Sequence, residues 1–447
     1  MKKLNKIKLT VLNRNEIADK EQRLLKGGVD YNCGCISGCV DDLCACLDKM
    51  KTYYLLTLLF LFAGCSNQPQ APKDSTLPIL DLSKDYPLVK LDIHEIADVE
   101  YVPLETTDES VYTCISDWRI SDKYIIGSDI GGIIYMFDRK GKFIRKINRI
   151  GQGPKEHYGV DEFSVDFNKE EYYIFDRTKL QVYSFSGEWL RTLKVPQGIR
   201  YGSLFDYNEQ YMICDNTFHD YWNIENLPVD KTPYYLIDKQ TGVLTTLPIT
   251  VEERVSRTLV KRIEHIDANT ARKHFIYLGA IYPISANGHE FIIADFGLDT
   301  LYTYKDNVLT PLAIQYPSVH SGKVPLIVAP RYHTDKYLFF KPVKVEYIPG
   351  TDWDSSQKVY DDAPTLMWNR ESNEIKQVRL YDSNRNKVIF THMRYKQFEQ
   401  GNQIFYSLLP ERVCPEYEAG ELKGKLAETV AKIKEDDNQI LVICKMK

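Results

Sequence analysis

The amino-acid sequence has no excess of positive charge, no long apolar run and no familiar catalytic motif. Its 57 lysines and arginines stand against 62 aspartates and glutamates, and the net charge of −5 argues against a nucleic-acid-binding surface along the chain. The longest apolar stretch, residues 53–64, is shorter than the roughly 20 residues that a membrane-spanning helix needs. The nine histidines show no HExxH spacing, and neither a GxSxG elbow nor a Gly-Lys-Ser phosphate loop is present. No cofactor or resident metal is therefore indicated.

Cysteine is the most unevenly distributed residue type. Five of the ten cysteines crowd into a short segment near the start: Cys33, Cys35, Cys39, Cys44 and Cys46. Zinc sites usually combine CxxC pairs at set distances, so these spacings suit thioether or disulfide cross-linking of a small peptide better than metal binding. Four others, Cys114, Cys214, Cys414 and Cys444, lie in or near strand-like runs and are expected to pack as small apolar residues. In an oxidising compartment a disulfide among them is an alternative that the sequence cannot pair.

The first 49 residues form a compositional zone of their own. They open Lys-Lys-Leu-Asn-Lys-Ile-Lys-Leu, reach Leu-Lys-Gly27-Gly28, and continue into the cysteine-rich segment 29–49. This arrangement resembles the double-glycine leader peptides of natural-product precursors in Bacteroidales. The resemblance implies a leader over residues 1–28, cleavage after Gly28, and a core peptide over residues 29–49 that is exported or modified.

A second zone covers residues 50–77. A lysine after Met50 precedes the apolar stretch, which has the length of a signal-peptide core and ends Phe62-Ala63-Gly64-Cys65. This resembles a bacterial lipobox, although the family prefers leucine where Phe62 stands. The resemblance implies a signal segment over residues 50–64, lipidation of Cys65, and a polar tether over residues 65–77.

A secretion signal normally acts at an N-terminus, so these two zones conflict. The simplest interpretation is two products: a precursor peptide over residues 1–49 and a lipoprotein that starts at Met50. The tether has no acidic run of the kind that directs lipoproteins to the cell surface in Bacteroidota, the phylum of the Bacteroidales that it resembles. We therefore expect a lipid anchor in the cell envelope, with the periplasmic side favoured over the surface.

The third zone, residues 78–447, repeats one phrase. A short apolar strand, a turn, a second strand with tyrosines at period two, and a glycine turn recur, as in Tyr124–Asp129 followed by Ile134–Gly141. The turn glycines Gly141, Gly187 and Gly242 are about 50 residues apart, which is typical of a propeller built from four-stranded blades. The length and the long inserts favour six blades, so we predict an all-β, six-bladed β-propeller.

Several phrases in this zone, in the same order, resemble the six-bladed β-propeller lipoproteins of Bacteroidota. They are Leu91–Asp108, Ile150–Pro154, Asp295–Tyr302 and the final strand over residues 437–447. Two details depart from the family: Gly153-Pro154-Lys155-Glu156-His157-Tyr158 replaces Gly-Pro-Gly-Glu-Tyr, and Asn438-Gln439 replaces Asn-Pro. The final strand is expected to close the ring beside strands from the N-terminal part.

Two features of the zone are candidates for function. Asp129, Asp176, Asp215 and Asp295 stand at equivalent repeat positions and could ring the channel around a cation, although aspartates in repeated turns more often accept backbone N–H groups. Residues 251–275 carry both charge signs and a helical spacing of Val255, Leu259, Ile263 and Ile266, which predicts a helix on a loop.

The sequence favours a non-enzymatic propeller that binds an unknown ligand or envelope protein at one face. The adjoining peptide or its export machinery is one such partner. The alternatives are a channel-centred hydrolase or lyase that uses carboxylates and a divalent cation, and a structural assembly subunit. The sequence identifies no ligand.

Overall fold

The structure is a computed structural model, which describes residues 76–112, 115–129, 131–217, 230–255, 258–265, 271–277, 281–345, 363–389, 396–398 and 401–447. For residues 258–265, 271–277 and 396–398 it describes the backbone alone. The leader glycines, the five clustered cysteines, Cys65 and Cys114 all lie outside the described residues.

The described chain begins with a segment that follows the outside of three neighbouring sheets, which we call the N-terminal belt (residues 79–103). It consists of β1 (Ile79–Asp81), β2 (Leu88–Asp92), the helical turn α1 (Ile93–Ile96) and β3 (Ala97–Pro103). The Asp92 side chain caps α1 by accepting from the His94 N–H. The three strands start nine residues apart, so each step of the belt reaches the next sheet.

Three four-stranded antiparallel blades follow the belt. Blade 1 consists of β4 (Ile115–Ile120), β5 (Tyr124–Asp129), β6 (Ile134–Asp138) and β7 (Phe143–Ile147). Blade 2 consists of β8 (Glu162–Asp166), β9 (Glu171–Phe175), β10 (Leu180–Ser184) and β11 (Trp189–Leu193). Blade 3 consists of β12 (Ser203–Asp206), β13 (Tyr211–Asp215), β14 (Tyr234–Asp238) and β15 (Leu244–Thr246). We call the end of the ring where the second strand of each blade finishes the upper face.

The connection from blade 3 to blade 4 contains a hairpin of β16 (Thr258–His265) and β17 (Ala271–Tyr277), paired from Thr258↔Tyr277 to His265↔Ala271. The prediction of a helix over residues 251–275 is therefore wrong. The segment is rich in β-branched residues, and its second arm ends Phe275-Ile276-Tyr277, so two strand-forming arms pair with each other in spite of the helical spacing.

Blades 4 and 5 each carry one belt strand on their outer edge. Blade 4 consists of β18 (Ile284–Asn287), β19 (Glu290–Ile293), β20 (Thr300–Lys305) and β21 (Val308–Tyr316), and β1 pairs parallel with β21. Blade 5 consists of β22 (Leu326–His333), β23 (Tyr337–Lys344), β24 (Leu366–Asn369) and β25 (Glu374–Asp382), with the short β26 (Lys387–Val388) beside it. The belt strand β2 pairs parallel with β25.

Blade 6 closes the ring with strands from both ends of the described chain. It consists of β28 (Gln403–Leu408), β29 (Ile440–Met446) and the belt strand β3, in that order. The preceding strand β27 (Lys396–Phe398) pairs parallel with β4 of blade 1. Helices α2 (Pro410–Glu418) and α3 (Gly424–Val430) lie between β28 and β29. The ring closure and the six blades confirm the sequence prediction.

The apolar core lies between neighbouring blades. At the closing seam, Val102 of β3 and Leu441 of β29 pack with Trp118 of blade 1. Gly141 has φ +86°, and a Cβ there would collide with the Pro103 carbonyl, so the repeated glycine turn also allows the seam to close. Cys214, Cys414 and Cys444 are buried free thiols within such clusters, as the sequence predicted.

No helix in the described ranges has the length and apolarity that crossing a bilayer requires.

Candidate functional site

The first strands of the blades meet at the centre of the ring and carry ten buried polar or charged residues. These include Asp117, Arg119, Glu162, Ser164, Asp166, Ser203, Asp206, Ser285, Asn287 and His333. Burying so many polar groups is tolerable only when they bond one another or the backbone, so their partners decide whether the centre is open to a ligand.

Arg119 of β4 ties the first strands of three blades together. Its guanidinium is 1% exposed, donates to Asp117 Oδ2 at 2.5 Å, and donates to the carbonyl oxygens of Phe163 (2.7 Å) and Leu204 (3.3 Å). It also lies over the Phe163 ring at 4.7 Å. Those carbonyls belong to blades 2 and 3, so Arg119 links three blades. Its guanidinium is always charged, and together with the Asp117 carboxylate it fills this part of the centre.

A second buried ion cluster joins blades 2 and 3. The Lys239 ammonium contacts Asp166 Oδ2 and Asp206 Oδ1, each at 2.5 Å, and donates to the Asn208 carbonyl at 2.6 Å. Burial raises the pKa of Asp206 to about 7, while Lys239 acts in the opposite direction. The three N–H donors of the Lys239 ammonium thus have three oxygen partners within the protein, from blades 2 and 3, so the cluster links these two blades.

A third buried group, His333 of β22, lies between blades 5 and 4. Its Nδ1 is 3.0 Å from the Ser285 hydroxyl, while Nε2 stands 3.9 Å from Glu290. Burial lowers the pKa of His333 to about 3, assisted by Arg370 and Lys305. The imidazole is therefore neutral at physiological pH, and Glu290 instead bonds Arg370 at 2.9 Å.

Two of the four predicted channel aspartates hold separate turns on the upper face. Asp129 accepts the N–H groups of Gly132 (2.7 Å) and Ile133 (2.8 Å). Asp176 accepts the Lys179 N–H at 3.2 Å and the Tyr158 N–H at 3.1 Å. Each carboxylate thus has backbone donors of its own.

Of the other two aspartates, Asp295 bonds the Tyr234 hydroxyl, and Asp215 lies opposite Tyr234 in the pairing of β13 with β14. Tyr234 donates its hydroxyl to Asp295 Oδ2 at 2.6 Å, and Asp295 also accepts the Gly297 N–H at 2.8 Å. Asp215 accepts from the hydroxyls of Ser203 and Thr217. Burial raises the pKa of Asp295. Within the described part of the chain, no group of three histidine, cysteine, aspartate or glutamate side chains is arranged to hold a metal ion.

The connection between blades 1 and 2, residues 149–159, lies on the upper face and is braced by backbone and side-chain hydrogen bonds. Its two arms pair through the Gly151 N–H to the His157 carbonyl (3.0 Å) and the His157 N–H to the Arg149 carbonyl (3.1 Å). From blade 2, Gln181 donates its amide to the carbonyls of Pro154 (2.9 Å) and Glu156 (3.0 Å).

A buried histidine fastens this loop to both neighbouring blades. His157 is 1% exposed; its Nε2 donates to the Gly132 carbonyl at 2.9 Å, and its Nδ1 lies 3.1 Å from the Tyr183 hydroxyl, which is also 3.1 Å from the Lys155 carbonyl. This tautomer follows because a carbonyl can only accept. Burial lowers the pKa of His157 and keeps the ring neutral. Gly132 must approach closely, since a Cβ there would lie 3.2 Å from Nε2.

The braced loop presents two apolar side chains to solvent. Tyr158 is 71% exposed although its N–H is bonded to Asp176, and Ile150 is 40% exposed. A rigid loop with an exposed aromatic residue loses little conformational entropy when it binds. The sequence showed the Gly-Gln-Gly-Pro turn and the following tyrosine, but not that buried partners hold them.

Comparison with known proteins assigns the chain to a protein family. A family model described as "Domain of unknown function (DUF4934)" matches residues 77–445, most of the chain. The chain belongs to the DUF4934 family. No curated protein matches the sequence.

Solved structures resemble this DUF4934 protein in fold. One is a protein of Bacteroides fragilis NCTC 9343 described as exported, with 13% identity and a TM-score of 0.53, over 80% of this chain and 99% of that one. Another is the WD40 repeats of RRP9, with 11% identity and a TM-score of 0.36, over 78% and 100% of the two chains. The first similarity supports the propeller fold, and a propeller with loops on a rigid ring suits a binding module.

Proposed function

We propose that the protein is a lipid-anchored binding module of the cell envelope, which holds a peptide or protein partner at its upper face. The lipid would be attached at Cys65, with the periplasmic side favoured. The lipobox-like sequence supports this location, as does the description of the Bacteroides fragilis relative in fold as exported.

Tyr158 on the loop 149–159 is the observation that carries the proposal. Tyrosine is enriched among the side chains that dominate binding energy, because it buries a large area with few rotatable bonds. Here a 71% exposed ring stands on a loop whose backbone is bonded to buried side chains of blade 2. Such bracing makes the loop a preorganised contact surface.

The centre of the ring supports binding at the face over chemistry in the channel. The guanidinium of Arg119 and the ammonium of Lys239 are already paired with buried carboxylates. Asp129 Oδ1 and both oxygens of Asp176 accept backbone N–H groups of nearby loops. A hydrolase or lyase would need carboxylates that converge on one open point.

The candidate partner is the cysteine-rich peptide over residues 29–49, because it adjoins the lipoprotein segment in the same chain. Its direct test is the affinity of a synthetic, reduced peptide of residues 29–49 for the chain from residue 65, which contains every described strand. We expect Tyr158→Ala to weaken binding about tenfold or more.

Tyr417→Ala is the matched control, because Tyr417 is also exposed (41%) but lies on α2. It should leave the affinity unchanged. No binding to the wild-type chain would exclude this partner, and equal affinity of the Tyr158 and Tyr417 variants would exclude the loop as the contact surface.

The anchor has its own test, which is intact-mass analysis of the protein from membranes of its native host. A species that starts at a diacylated Cys65 is expected. A mature species that still carries residues 1–49, or one cut after Gly28 without lipid, would contradict the anchor and make the cysteine-rich segment part of the working molecule.

A further inference from the structure

The outer strands of blades 1 and 2 share one geometry but differ in charge. In the pairing of each with the third strand of its blade, one residue is skipped, and its side chain is 39% exposed in both cases: Ile144 on β7 and Leu190 on β11. Within the described part of the chain, both strands end their sheets without a further strand. Because the two edges are equivalent in structure, their side chains can be compared position by position.

Three exposed lysines distinguish blade 1 in this comparison. They flank the turn glycine Gly141 and continue into β7: Lys140, Lys142 and Lys146. Counted from Gly187, the equivalent positions of blade 2 are not basic: Ser186, Glu188 and Thr192. Blade 2 forms the same turn and strand without lysines, so the fold does not require them. Nor is protection of an open edge a sufficient reason for them, because β11 is open as well and lacks them.

A fourth basic side chain of β7 lacks the carboxylate that its counterpart has. Arg145 is equivalent to Arg191 of β11, whose guanidinium bonds Glu171 at 2.7 Å. Glu171 is the first residue of β9, and the first residue of β5 in blade 1 is Tyr124. Blade 1 therefore keeps the arginine but has a tyrosine in place of its ion-pair partner. We call Lys140, Lys142, Arg145 and Lys146 the basic edge.

The chain itself shows how an acidic, extended segment binds beside the basic edge. Glu100 of β3 pairs with Arg139 of the turn at 2.7 Å. The Glu105 side chain accepts the Phe143 N–H at 2.7 Å, and the Glu105 N–H donates to the Gly141 carbonyl at 2.8 Å. This segment is thus held through its carboxylates and its backbone. Its contacts end at the start of β7, and in the described part of the chain the basic edge forms no ion pair.

We propose that the basic edge binds an acidic, extended segment of another protein, which lies along β7. Four cations on one strand attract a segment with repeated aspartate or glutamate side chains and repel a basic one. The exposed side chain of Ile144 adds an apolar contact among them. Because the skipped residue interrupts the regular edge, side chains select the partner, and continuous backbone pairing is not required.

A protein partner is favoured over a lipid surface by two observations. The group already bound beside the edge is a carboxylate-bearing stretch of polypeptide, residues 100–105. The described chain, moreover, starts at the outer edge of blade 4, where β1 pairs with β21, and not at blade 1. A lipid anchor that precedes β1 therefore does not bring β7 to the membrane. The inference concerns a surface other than the Tyr158 loop and does not depend on that loop or on the anchor.

The first test is fluorescence anisotropy with a labelled peptide in which glutamate and threonine alternate over about eight residues. The protein is the chain from residue 65, the expected mature species. We expect Lys142→Glu/Lys146→Thr, which gives β7 the residues of β11, to weaken binding about fivefold or more. Raising the salt from about 0.05 M to about 0.5 M should weaken binding to the wild type. The same peptide with glutamine in place of glutamate should bind much more weakly.

The matched control is Lys425→Glu/Lys432→Thr, which changes the net charge equally at two exposed lysines on and just after α3. It should leave the affinity for the glutamate peptide unchanged. Urea unfolding should give the same midpoint for both variants and the wild type, because all four lysines are exposed. Carbodiimide coupling of the bound peptide, followed by mass spectrometry, should place its cross-links on Lys140, Lys142 and Lys146.

Several outcomes would overturn the proposal. They are no binding of the glutamate peptide, equal loss of affinity in the two double variants, and cross-links that avoid the basic edge. Phosphatidylglycerol vesicles provide the alternative probe: if they bind, lose binding in Lys142→Glu/Lys146→Thr, and the peptide does not bind, the partner is a lipid surface and the proposal is wrong. None of these tests uses residues 1–49 or Tyr158, so failure here leaves the proposed function as it stands.

Discussion

The two halves of the ring have the same blade architecture but different rims. Blades 4–6 have their outer edges covered or completed by the N-terminal belt, whereas blades 1–3 end in β7, β11 and β15. On the uncovered half, Ile144 and Leu190 are each 39% exposed on these outer strands. A strand on the rim therefore completes or protects a blade, and the place where the belt ends determines which edges remain available.

The two halves also differ in whether the backbone of the outer strand is already hydrogen-bonded to another strand of the chain. At the belt, parallel pairing such as Ile79↔Ile314 and Leu88↔Gln377 is already formed within the chain. At β7 the described sheet ends, and the Glu105 side chain accepts the N–H of Phe143. The following predictions test whether the covered half is a structural seam and the uncovered half a free surface.

The largest effect is expected at the closing seam. Leu441→Ala removes a fully buried side chain of β29 that packs with Val102 of the belt and Trp118 of blade 1. Burying leucine and avoiding a cavity together stabilise by roughly 3–5 kcal/mol, so urea unfolding should report a loss of that size. Leu190→Ala, on the uncovered edge of blade 2, should cost less than about 1 kcal/mol. Similar losses for both variants would contradict the distinction between seam and free edge.

The next largest effect is the pH dependence of stability that His333 gives to the covered half. The His333 pKa falls from 6.5 to about 3 in the folded protein, so between these values the unfolded chain binds more protons than the folded one. Stability is then complete above pH 6.5 and is lost as the pH falls. From pH 6.5 to pH 5 this group alone should cost about 1.6 kcal/mol.

The measurement is urea unfolding at several pH values for the wild type and for His333→Gln. The variant should be less stable at neutral pH but should lose correspondingly less between pH 6.5 and pH 5. His157 on the uncovered half also has a lowered pKa and contributes with the same sign, so the difference between the two chains isolates His333. Parallel pH curves would show that folding leaves the pKa of His333 unchanged, which would contradict a neutral buried imidazole.

The repeated blades could be predicted from the sequence because their signals are local. The Tyr-Ile-Ile phrases and the turn glycines specify strands and turns within about 50 residues, and Gly141, Gly187 and Gly242 all have positive φ, as such turns require. The belt could be predicted only at its last strand. Short strands such as β1 owe their existence to a partner more than 200 residues away, which no local pattern encodes.

The candidate site was harder to predict from the sequence for the same reason. In the sequence, Arg119 is one charged residue within a predicted strand. That it links three blades is evident only from the folded structure, in which it donates to carbonyls of blades 2 and 3. In the structure each of the four aspartates accepts a backbone N–H group, whereas their suggested cation stays a prediction. The exposure of Tyr158 depends on Gln181, Tyr183 and Asp176, which belong to the next blade.

The smallest expected effect separates a turn aspartate from a cation ligand. Asp129 is only partly buried, and its carboxylate accepts two N–H groups that can turn to water when it is removed. Asp129→Ala should therefore cost about 1 kcal/mol in urea unfolding. If the carboxylates of the upper face instead bind a divalent cation, calcium should stabilise the wild type and EDTA should destabilise it, and Asp129→Ala should abolish both responses. Because backbone N–H groups already bond Asp129 Oδ1 and both oxygens of Asp176, we expect unfolding midpoints that calcium and EDTA leave unchanged in both chains.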